Sequence, residues 1–177
     1  MLFNEEIYRD DKKLLDFNNN IIFRKAVRAI ILKDNKILMV FLGKTKEYKF
    51  PGGGVEENEN PEEALKREVM EEVGYTVNKV IEKIGVMTEY AIANEGKGNI
   101  FKMVSEYYIT DIEVNQNEQK LDNYEKELKY KPYWINIETA YNVNKNIIDN
   151  KCDTTPWIKR ETRVLEILTG KILKLVR

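Results

Sequence analysis

The chain has 177 residues, of which 42% are hydrophobic and 33% charged, so its length and composition predict roughly one folded domain with a sizeable core. The 29 Lys and Arg residues nearly balance the 30 Asp and Glu residues, which does not favour a protein that coats a polyanion such as DNA. There is no histidine and only one cysteine, Cys152, which excludes Ser-His-Asp triads, His-metal sites, intramolecular disulfides and Cys-cluster zinc sites.

The single cysteine also fits a reducing compartment, and we interpret Cys152 as an inert thiol because no histidine is present to activate it. The N-terminus lacks the basic and apolar regions of a signal peptide, and no run approaches the ~18 apolar residues of a membrane helix. These features predict a cytoplasmic protein without a membrane partner. Its chemistry has to rest on carboxylates, Lys, Arg, Tyr, Ser or Thr, or on a hard metal ion bound by oxygens.

The first half of the chain is predicted to be rich in strands. Residues 1–23 are mixed in character and are predicted to form a leading arm or an edge element. Two β-rich runs follow at 24–33 and 36–43, joined by a hairpin turn at Asp34 and Asn35. The second run is almost continuously apolar, which is typical of a strand buried on both faces.

A glycine-rich bend precedes the clearest helix. The three consecutive glycines at 52–54 indicate backbone that bends sharply or is approached closely. Residues 61–73 are predicted to be helical, with a proline at the first position. Asn60 is placed to cap this helix, Glu63 completes a capping box, and Gly74 ends it.

The rest of the chain is predicted to alternate strands, a loop and helices. In chain order these are strands at 76–93 and 100–112 with a polar turn between them, a loop at 114–131, a short strand at 133–135, and helices at 137–149 and 156–169. Thr155 is predicted to cap the last helix and Gly170 to end it. No repeat or linker interrupts the pattern, so residues 24–177 are predicted to form a single domain of the α+β class.

Three glutamates on the first helix carry the strongest functional signal. Glu68, Glu71 and Glu72 stand at i, i+3 and i+4 and therefore share an arc of about 100°. Like charges at this spacing oppose helix formation by about 0.2–0.5 kcal/mol per pair, a penalty that a divalent cation removes. Hard ions such as Mg²⁺ prefer oxygen ligands, usually one or two carboxylates together with substrate phosphates. Arg67 reaches Glu71 at i+4 and is placed to orient a carboxylate.

Each part of this pattern also has a plainer interpretation. Taken alone, an acidic pair such as Glu71 and Glu72 is more often a solvated helix face, and three glycines are more often a turn. The combination of the glutamates and the glycines at fixed spacing is what favours a metal or phosphate site.

Together these residues resemble the Nudix box. Gly53, Glu59 and the run at 67–75 match every position of that pattern, and the preceding residues 50–52 resemble the usual lead-in of the family. The number of fixed positions makes the match specific.

The resemblance implies an α/β/α sandwich around a mixed β-sheet, with the box forming a loop, a helix and a second loop. It also implies an Mg²⁺-dependent pyrophosphohydrolase, with Mn²⁺ as a substitute, in which water attacks phosphorus in a nucleoside diphosphate linked to another group. Carried over by position, the implied metal ligands are Gly52, Glu68, Glu71 and Glu72. The implied catalytic residues are Glu68, Arg67, which orients the glutamates, and Glu59, which supports the box.

The resemblance does not identify which residue supplies a distal carboxylate. In some members the general base is Glu68, and in others it is a glutamate outside the box. The candidates for a distal metal ligand or base are Glu118, Glu125 and Glu127.

The substrate is also open, and the first expectation is a nucleoside triphosphate, including one with an oxidised purine. Alternatives are a dinucleoside polyphosphate, a nucleotide sugar, the triphosphate end of an RNA, and a nucleotide-sensing module without catalysis. The candidate base-stacking residues are Tyr48, Phe50 and Tyr90. The expected partner is a small nucleotide and not a nucleic acid, and residues 1–23 allow two copies to pair as a homodimer.

Overall fold

The computed structural model describes residues 1–12, 15–16, 19–94, 98–150 and 154–175, with side chains up to residue 170. Cys152 and the centre of the turn predicted between the two long strands lie outside the described residues.

The described residues form strands and helices that alternate along the chain. The strands are β1 (Phe3–Tyr8), β2 (Ile21–Ile30), β3 (Leu32–Lys33), β4 (Lys36–Leu42), β5 (Tyr48–Lys49), β6 (Tyr75–Ile92), β7 (Ile100–Gln116) and β8 (Tyr130–Ile135). The helices are α1 (Pro61–Val73), α2 (Asn123–Leu128), α3 (Ile137–Asp149) and α4 (Ile158–Leu175). None of the helices that the structure describes combines the length and the apolar character needed to cross a membrane.

The strands form two four-stranded sheets. The first has the order β1-β6-β7-β2, in which β6 and β7 are antiparallel while the two outer strands pair in parallel with their neighbours. In the second, β4 pairs with β3 and β5 along one edge and with β8 along the other. The sheet structure is therefore mixed, as predicted, and residues 3–8 form an edge strand.

The predicted hairpin is confirmed. Asp34 and Asn35 have φ values of 48° and 60°, and Lys33 pairs with Lys36 across a two-residue loop. Positive φ at both central residues is typical of a type I′ turn, whose twist matches that of the flanking strands. Residues 37–40 are buried on both faces of the sheet, also as predicted.

Alternating side chains of β4 point into two cores on opposite sides of the strand. Leu38 packs in one core with Val69 of α1, while Met39 packs in the other with Ala140 of α3 and Val164 of α4. Helices α1 and α2 thus cover one side of the strands, and α3 and α4 cover the other. This arrangement confirms an α+β fold with an α/β/α sandwich.

Helix α1 begins and ends where the sequence predicts. The Asn60 side chain accepts hydrogen bonds from the backbone N–H groups of Glu62 and Glu63, both at 3.0 Å. The Glu63 carboxylate accepts from the Asn60 N–H at 2.8 Å, which completes the capping box. Gly74 follows the last turn with a φ of 73°.

The prediction of a loop at 114–131 was right only for residues 117–122 and 129 and wrong for the rest of that range. Strand β7 continues to Gln116, and residues 123–128 form helix α2. Asp122 caps this helix and exchanges hydrogen bonds with Glu125. This capping box is readable in the sequence, and it outweighs the polar composition of the segment. Strand β8 is also longer than expected, because it pairs with β4 from Tyr130 onward.

Both predicted ends of the last helix were wrong. Helix α4 begins at Ile158, and the Thr155 hydroxyl donates a hydrogen bond to Glu47 at 2.7 Å instead of capping the helix. The helix also continues through Gly170 to Leu175. A glycine inside a helix costs only about 1 kcal/mol relative to alanine, so it does not by itself end one.

A buried cluster of charges joins α4 to β6 and to the glycine bend. The Arg160 side chain is 1% exposed and donates to Glu89 and to Glu161, both at 2.6 Å. Arg9, just after β1, also donates to Glu89. The second oxygen of Glu161 accepts from the Phe50 N–H at 2.9 Å, two residues before the first glycine of the bend.

Replacement of Arg160 by Met is expected to lower the free energy of unfolding by about 3–5 kcal/mol, because it leaves buried Glu161 without a cation and buried Glu89 with Arg9 alone. Urea titration measures the loss. Arg163→Met is the matched control, since its ion pair with Glu5 is largely exposed and is expected to contribute about 1 kcal/mol or less. Equal losses in the two variants would contradict the importance of the buried cluster.

The stability of the protein is expected to fall in acid partly through Glu89. Burial by itself raises the pKa of Glu89, but Arg160 and Arg9 outweigh it and hold that pKa below the ordinary value of 4.5. A carboxyl group of this kind stabilises the fold above its unfolded pKa, and the stabilisation is lost as the pH falls through the folded pKa. Melting temperatures measured from neutral pH down to about pH 3 should therefore fall less steeply in Glu89→Gln than in the unchanged protein. Parallel profiles would refute this role.

Candidate active site

A cleft of about 620 Å³ opens beside the glycine bend, between helices α1 and α2 and the adjoining ends of β6 and β7. Charged side chains of both signs line it, with Glu68, Glu72 and Glu125 on the acidic side and Arg24, Arg28 and Lys49 on the basic side. Volumes of about 300–1,000 Å³ are typical of small-molecule sites.

The glycine bend is held against β2 in a conformation that needs glycine. Gly52 has a φ of 136°, and a Cβ at this position would overlap the Val27 carbonyl oxygen. The Val27 N–H donates to the Gly53 carbonyl at 3.0 Å, and the Ala29 N–H donates to the Pro51 carbonyl at 2.8 Å. These bonds fix the bend at the edge of the strand, beside the cleft.

Glu72 is bonded to the bend at both oxygens. Its side chain is 3% exposed, and Oε2 accepts from the Gly52 N–H at 2.8 Å. Oε1 accepts from the Lys49 ammonium, which also donates to the Gly52 carbonyl oxygen at 3.3 Å. Arg28 donates to the same carbonyl oxygen. Burial raises the pKa of Glu72 to about 7, and the charge of Lys49 acts in the opposite direction.

Glu68 lies one turn earlier on α1, against the next glycine. A Cβ on Gly53 would overlap the Glu68 carboxylate, so the absence of a side chain there makes room for this acid. Arg67 donates to Glu68 at 2.9 Å and to Glu71 at 3.2 Å. Glu71 is half-exposed and does not line the cleft. The structure therefore brings Glu68 and Glu72 to the cleft and leaves Glu71 outside it.

Arg67 connects the helix to the loop that precedes it. Its guanidinium donates to Glu59 at 2.5 and 3.1 Å and to the Gly54 carbonyl at 3.1 Å. The hydrogen bonds that Arg67 donates to Glu59 hold the pKa of Glu59 below its ordinary value and raise the pKa of Arg67 above its usual range. The residues expected to orient and support the box are thus in mutual contact.

The oxygens beside the bend suit a hard cation. The Lys49 ammonium already bridges Glu72 and the Gly52 carbonyl, which shows that one positive charge can contact both oxygens. No three acidic side chains among the described residues are grouped closely enough to hold one ion. The available ligands are therefore two carboxylates, Glu68 and Glu72, and one carbonyl. That number is usual where substrate phosphates complete the coordination of Mg²⁺.

The structure separates the three candidates for a distal carboxylate. Glu125, on α2, lines the cleft, and burial raises its pKa. Glu118 and Glu127 are exposed and do not line the cleft. Helix α2, which the sequence analysis missed, is what brings Glu125 to the cleft.

The aromatic side chains expected to stack a base lie elsewhere. Tyr48 and Phe50 are buried in the core that faces α3 and α4, and Tyr90 is outside the cleft lining. Tyr124 and Trp157 line the cleft instead and form an edge-on pair with ring centroids 6.2 Å apart. Sequence reasoning missed both, because their approach depends on the placement of α2 and of the segment before α4.

The basic lining was also missed, although the sequence carries a signal for it. Arg28 interrupts the otherwise apolar run at 26–32, and Lys49 directly precedes the apolar Phe50. A cation inside a buried run needs a hydrogen-bond acceptor, so its position in the sequence predicts an acid or a carbonyl group close to it in the fold.

Comparisons with known proteins give a family match for most of the chain. The NUDIX domain model matches residues 22–157. A relative named 8-oxo-dGTP diphosphatase, from Buchnera aphidicola subsp. Schizaphis graminum, is 44% identical over 59 residues, covering 31% of this chain and 45% of that protein. The match therefore spans less than half the length of that relative.

Solved structures show the same fold. A NUDIX hydrolase from Nitrosomonas europaea matches with a TM-score of 0.53 and 18% identity, covering 85% of this chain and 90% of that chain. A MutT protein from Bacillus halodurans matches with a TM-score of 0.50 and 18% identity, covering 68% and 72%. At these identities the likeness concerns the fold alone.

Replacement of Arg67 by Met is expected to loosen the loop at 54–59 and to lower the free energy of unfolding by about 1.5–3 kcal/mol, since several charge-assisted hydrogen bonds are lost. Amide exchange should accelerate in that loop, and urea titration measures the stability. Lys66→Met is the control, because its pair with Glu62 is exposed and contributes about 0.5 kcal/mol or less. Unchanged exchange in the loop would count against a connecting role for Arg67.

Proposed function

This chain belongs to the Nudix family, and on that premise we propose that it hydrolyses phosphoanhydride bonds in a small nucleotide with the help of a divalent cation. The observation that carries the proposal is the placement of Glu68 and Glu72 beside the Gly52 carbonyl, at the wall of a cleft that also presents cations. The ligand atoms offered by these three residues are all oxygens, which suits Mg²⁺ or Mn²⁺ and not a softer metal.

The acidic and basic side chains of the site have different proposed roles in binding the ion. Glu68, Glu72 and the Gly52 carbonyl are the proposed ligands of the ion, and Arg67 orients Glu68 through their 2.9 Å hydrogen bond. When bound, a divalent ion neutralises phosphate charge and lowers the pKa of a coordinated water. Glu71 stays a weaker candidate, because it does not line the cleft.

Donors without acceptors indicate where an anionic ligand lies. Arg28 Nε and Trp157 Nε1 are buried, belong to residues that line the cleft, and have no hydrogen-bond partner among the described residues. Arg24 also lines the cleft and makes no hydrogen bond or ion pair with a described residue. Buried donors in a native protein are nearly always satisfied, so a ligand rich in acceptors, such as a polyphosphate, is the proposed partner.

Proton transfer is assigned to the glutamates that face the cleft. Glu68 is the proposed general base, and Glu125 is the proposed distal carboxylate. Burial raises the pKa of Glu125, which makes this carboxylate a better proton acceptor than an exposed one. Stabilisation of the phosphoryl charge by the ion and by the arginines supplies most of the rate enhancement, so a covalent intermediate is not needed.

The proposed substrate is a nucleoside triphosphate, including one with an oxidised purine. The name of the Buchnera relative, 8-oxo-dGTP diphosphatase, supports this choice. Tyr124 and Trp157 offer aromatic faces for a base at the cleft. A cytoplasmic location, where such nucleotides are abundant, is part of the same proposal.

A panel of nucleotides tests the proposal. Nucleoside triphosphates with normal and oxidised purines, dinucleoside polyphosphates and nucleotide sugars are incubated with Mg²⁺ in ¹⁸O-water, and the products are identified by mass. We expect cleavage that requires the ion, fastest for a triphosphate, with one ¹⁸O incorporated into one product. Tight nucleotide binding without turnover of any member would instead identify a sensing module.

Glu68→Gln is expected to keep its melting temperature within a few degrees and to lose about 10²-fold or more in kcat, because the variant has no proton acceptor at this position. Glu62→Gln, an exposed acid on the same helix, is the control and should retain full activity. Turnover by Glu68→Gln within a factor of two of the unchanged protein would refute the assignment.

A further inference from the structure

Lys49 holds a position that a bound metal ion would share. Its side chain is 6% exposed, and its ammonium donates to Glu72 Oε1 and to the Gly52 carbonyl oxygen. The third side of the ammonium faces the ring of Tyr130, with the ring centroid 4.9 Å away. All the directions in which this ammonium can donate are therefore used within the protein.

The same contacts occupy the oxygens of two of the proposed ion ligands, Glu72 and Gly52. Oε2 of Glu72 accepts from the Gly52 N–H, Oε1 accepts from Lys49, and the Gly52 carbonyl accepts from Lys49 and Arg28. The Gly52 N–H is fixed by the backbone of the bend. The lysine is on a flexible four-carbon chain and lines the cleft, so it is the partner that can move away.

We propose that Lys49 is a resident counter-ion of the site, which neutralises Glu72 in the ligand-free protein and has to leave Glu72 and the Gly52 carbonyl when a divalent ion binds. This inference rests on the proposed function, since it takes Glu72 and Gly52 as ion ligands. It makes Lys49 a positioning residue that weakens the affinity of the ligand-free protein for the ion. It also means that the bend and helix α1 keep their relative position before the ion arrives.

Lys49→Met tests the competition, because methionine has a similar length and no charge. Binding of Mn²⁺ alone is measured by calorimetry on the full chain without a nucleotide. The dissociation constant is expected to fall by about tenfold or more in this variant. Lys66→Met removes a lysine from an exposed ion pair on α1, and its dissociation constant is expected to stay within about twofold of that of the unchanged protein.

A dissociation constant that is unchanged or higher in a folded Lys49→Met protein would overturn the proposal. If this variant does not fold, the unchanged protein decides the question through the reactivity of its lysines. Saturating Mn²⁺ should increase acylation of Lys49, followed by peptide mass spectrometry, by about fivefold or more, since exposure of a buried amine raises its access to reagent. Lys66 is the internal reference, and equal labelling of Lys49 with and without Mn²⁺ would overturn the inference.

The two proposals fail in different ways. Mg²⁺-dependent turnover by the unchanged protein, with no tighter Mn²⁺ binding in Lys49→Met, would reject only the role of Lys49. Tighter binding in Lys49→Met, with no turnover of any nucleotide, would support the role of Lys49 and reject the hydrolase.

Discussion

The hydrogen bond between the Gly52 N–H and Glu72 connects the two halves of the site. It joins a bend that is anchored on β2 to a helix that is anchored in the core through Val69 and its neighbours. The positive φ of Gly52 turns its N–H toward the helix, and only a residue without a Cβ fits there. Glu68, one turn away on the same helix, takes its position from this contact and from Arg67.

Two sets of buried charges in this fold form closed groups. Arg160 is surrounded by Glu89 and Glu161, and Lys49 is surrounded by Glu72 and the Gly52 carbonyl. Each group satisfies its own donors and acceptors, which offsets the desolvation of the charges. The two groups contact the same short segment, residues 50–52. Glu161 accepts from the Phe50 N–H, and Glu72 accepts from the Gly52 N–H. The bend is therefore held in place by hydrogen bonds with β2, α1 and α4.

The parts of the fold that could be predicted from the sequence are those determined locally. The hairpin at Asp34 and Asn35 and the capping box of α1 depend on residues within a few positions of one another. The far end of α4 could not be predicted, because a glycine in the middle of a helix looks the same in sequence as one that ends it. The roles of Lys49, Tyr124 and Trp157 depend on contacts between segments that are distant in the chain. The family pattern identified the acids on α1 and Arg67 beside them, but it gave no indication that Lys49 lies against Glu72.

The position of helix α2 at the wall of the cleft affects how the ligand selectivity of this protein can evolve. It spans only six residues, its start is fixed by the reciprocal bonds of Asp122 and Glu125, and it forms one wall of the cleft through Tyr124 and Glu125. The acids of α1 belong to a different segment with its own anchors. Substitutions of Tyr124 can therefore alter which ligand fits while Glu68, Glu72 and Glu125 stay in place, so selectivity can change without loss of the proposed hydrolytic residues.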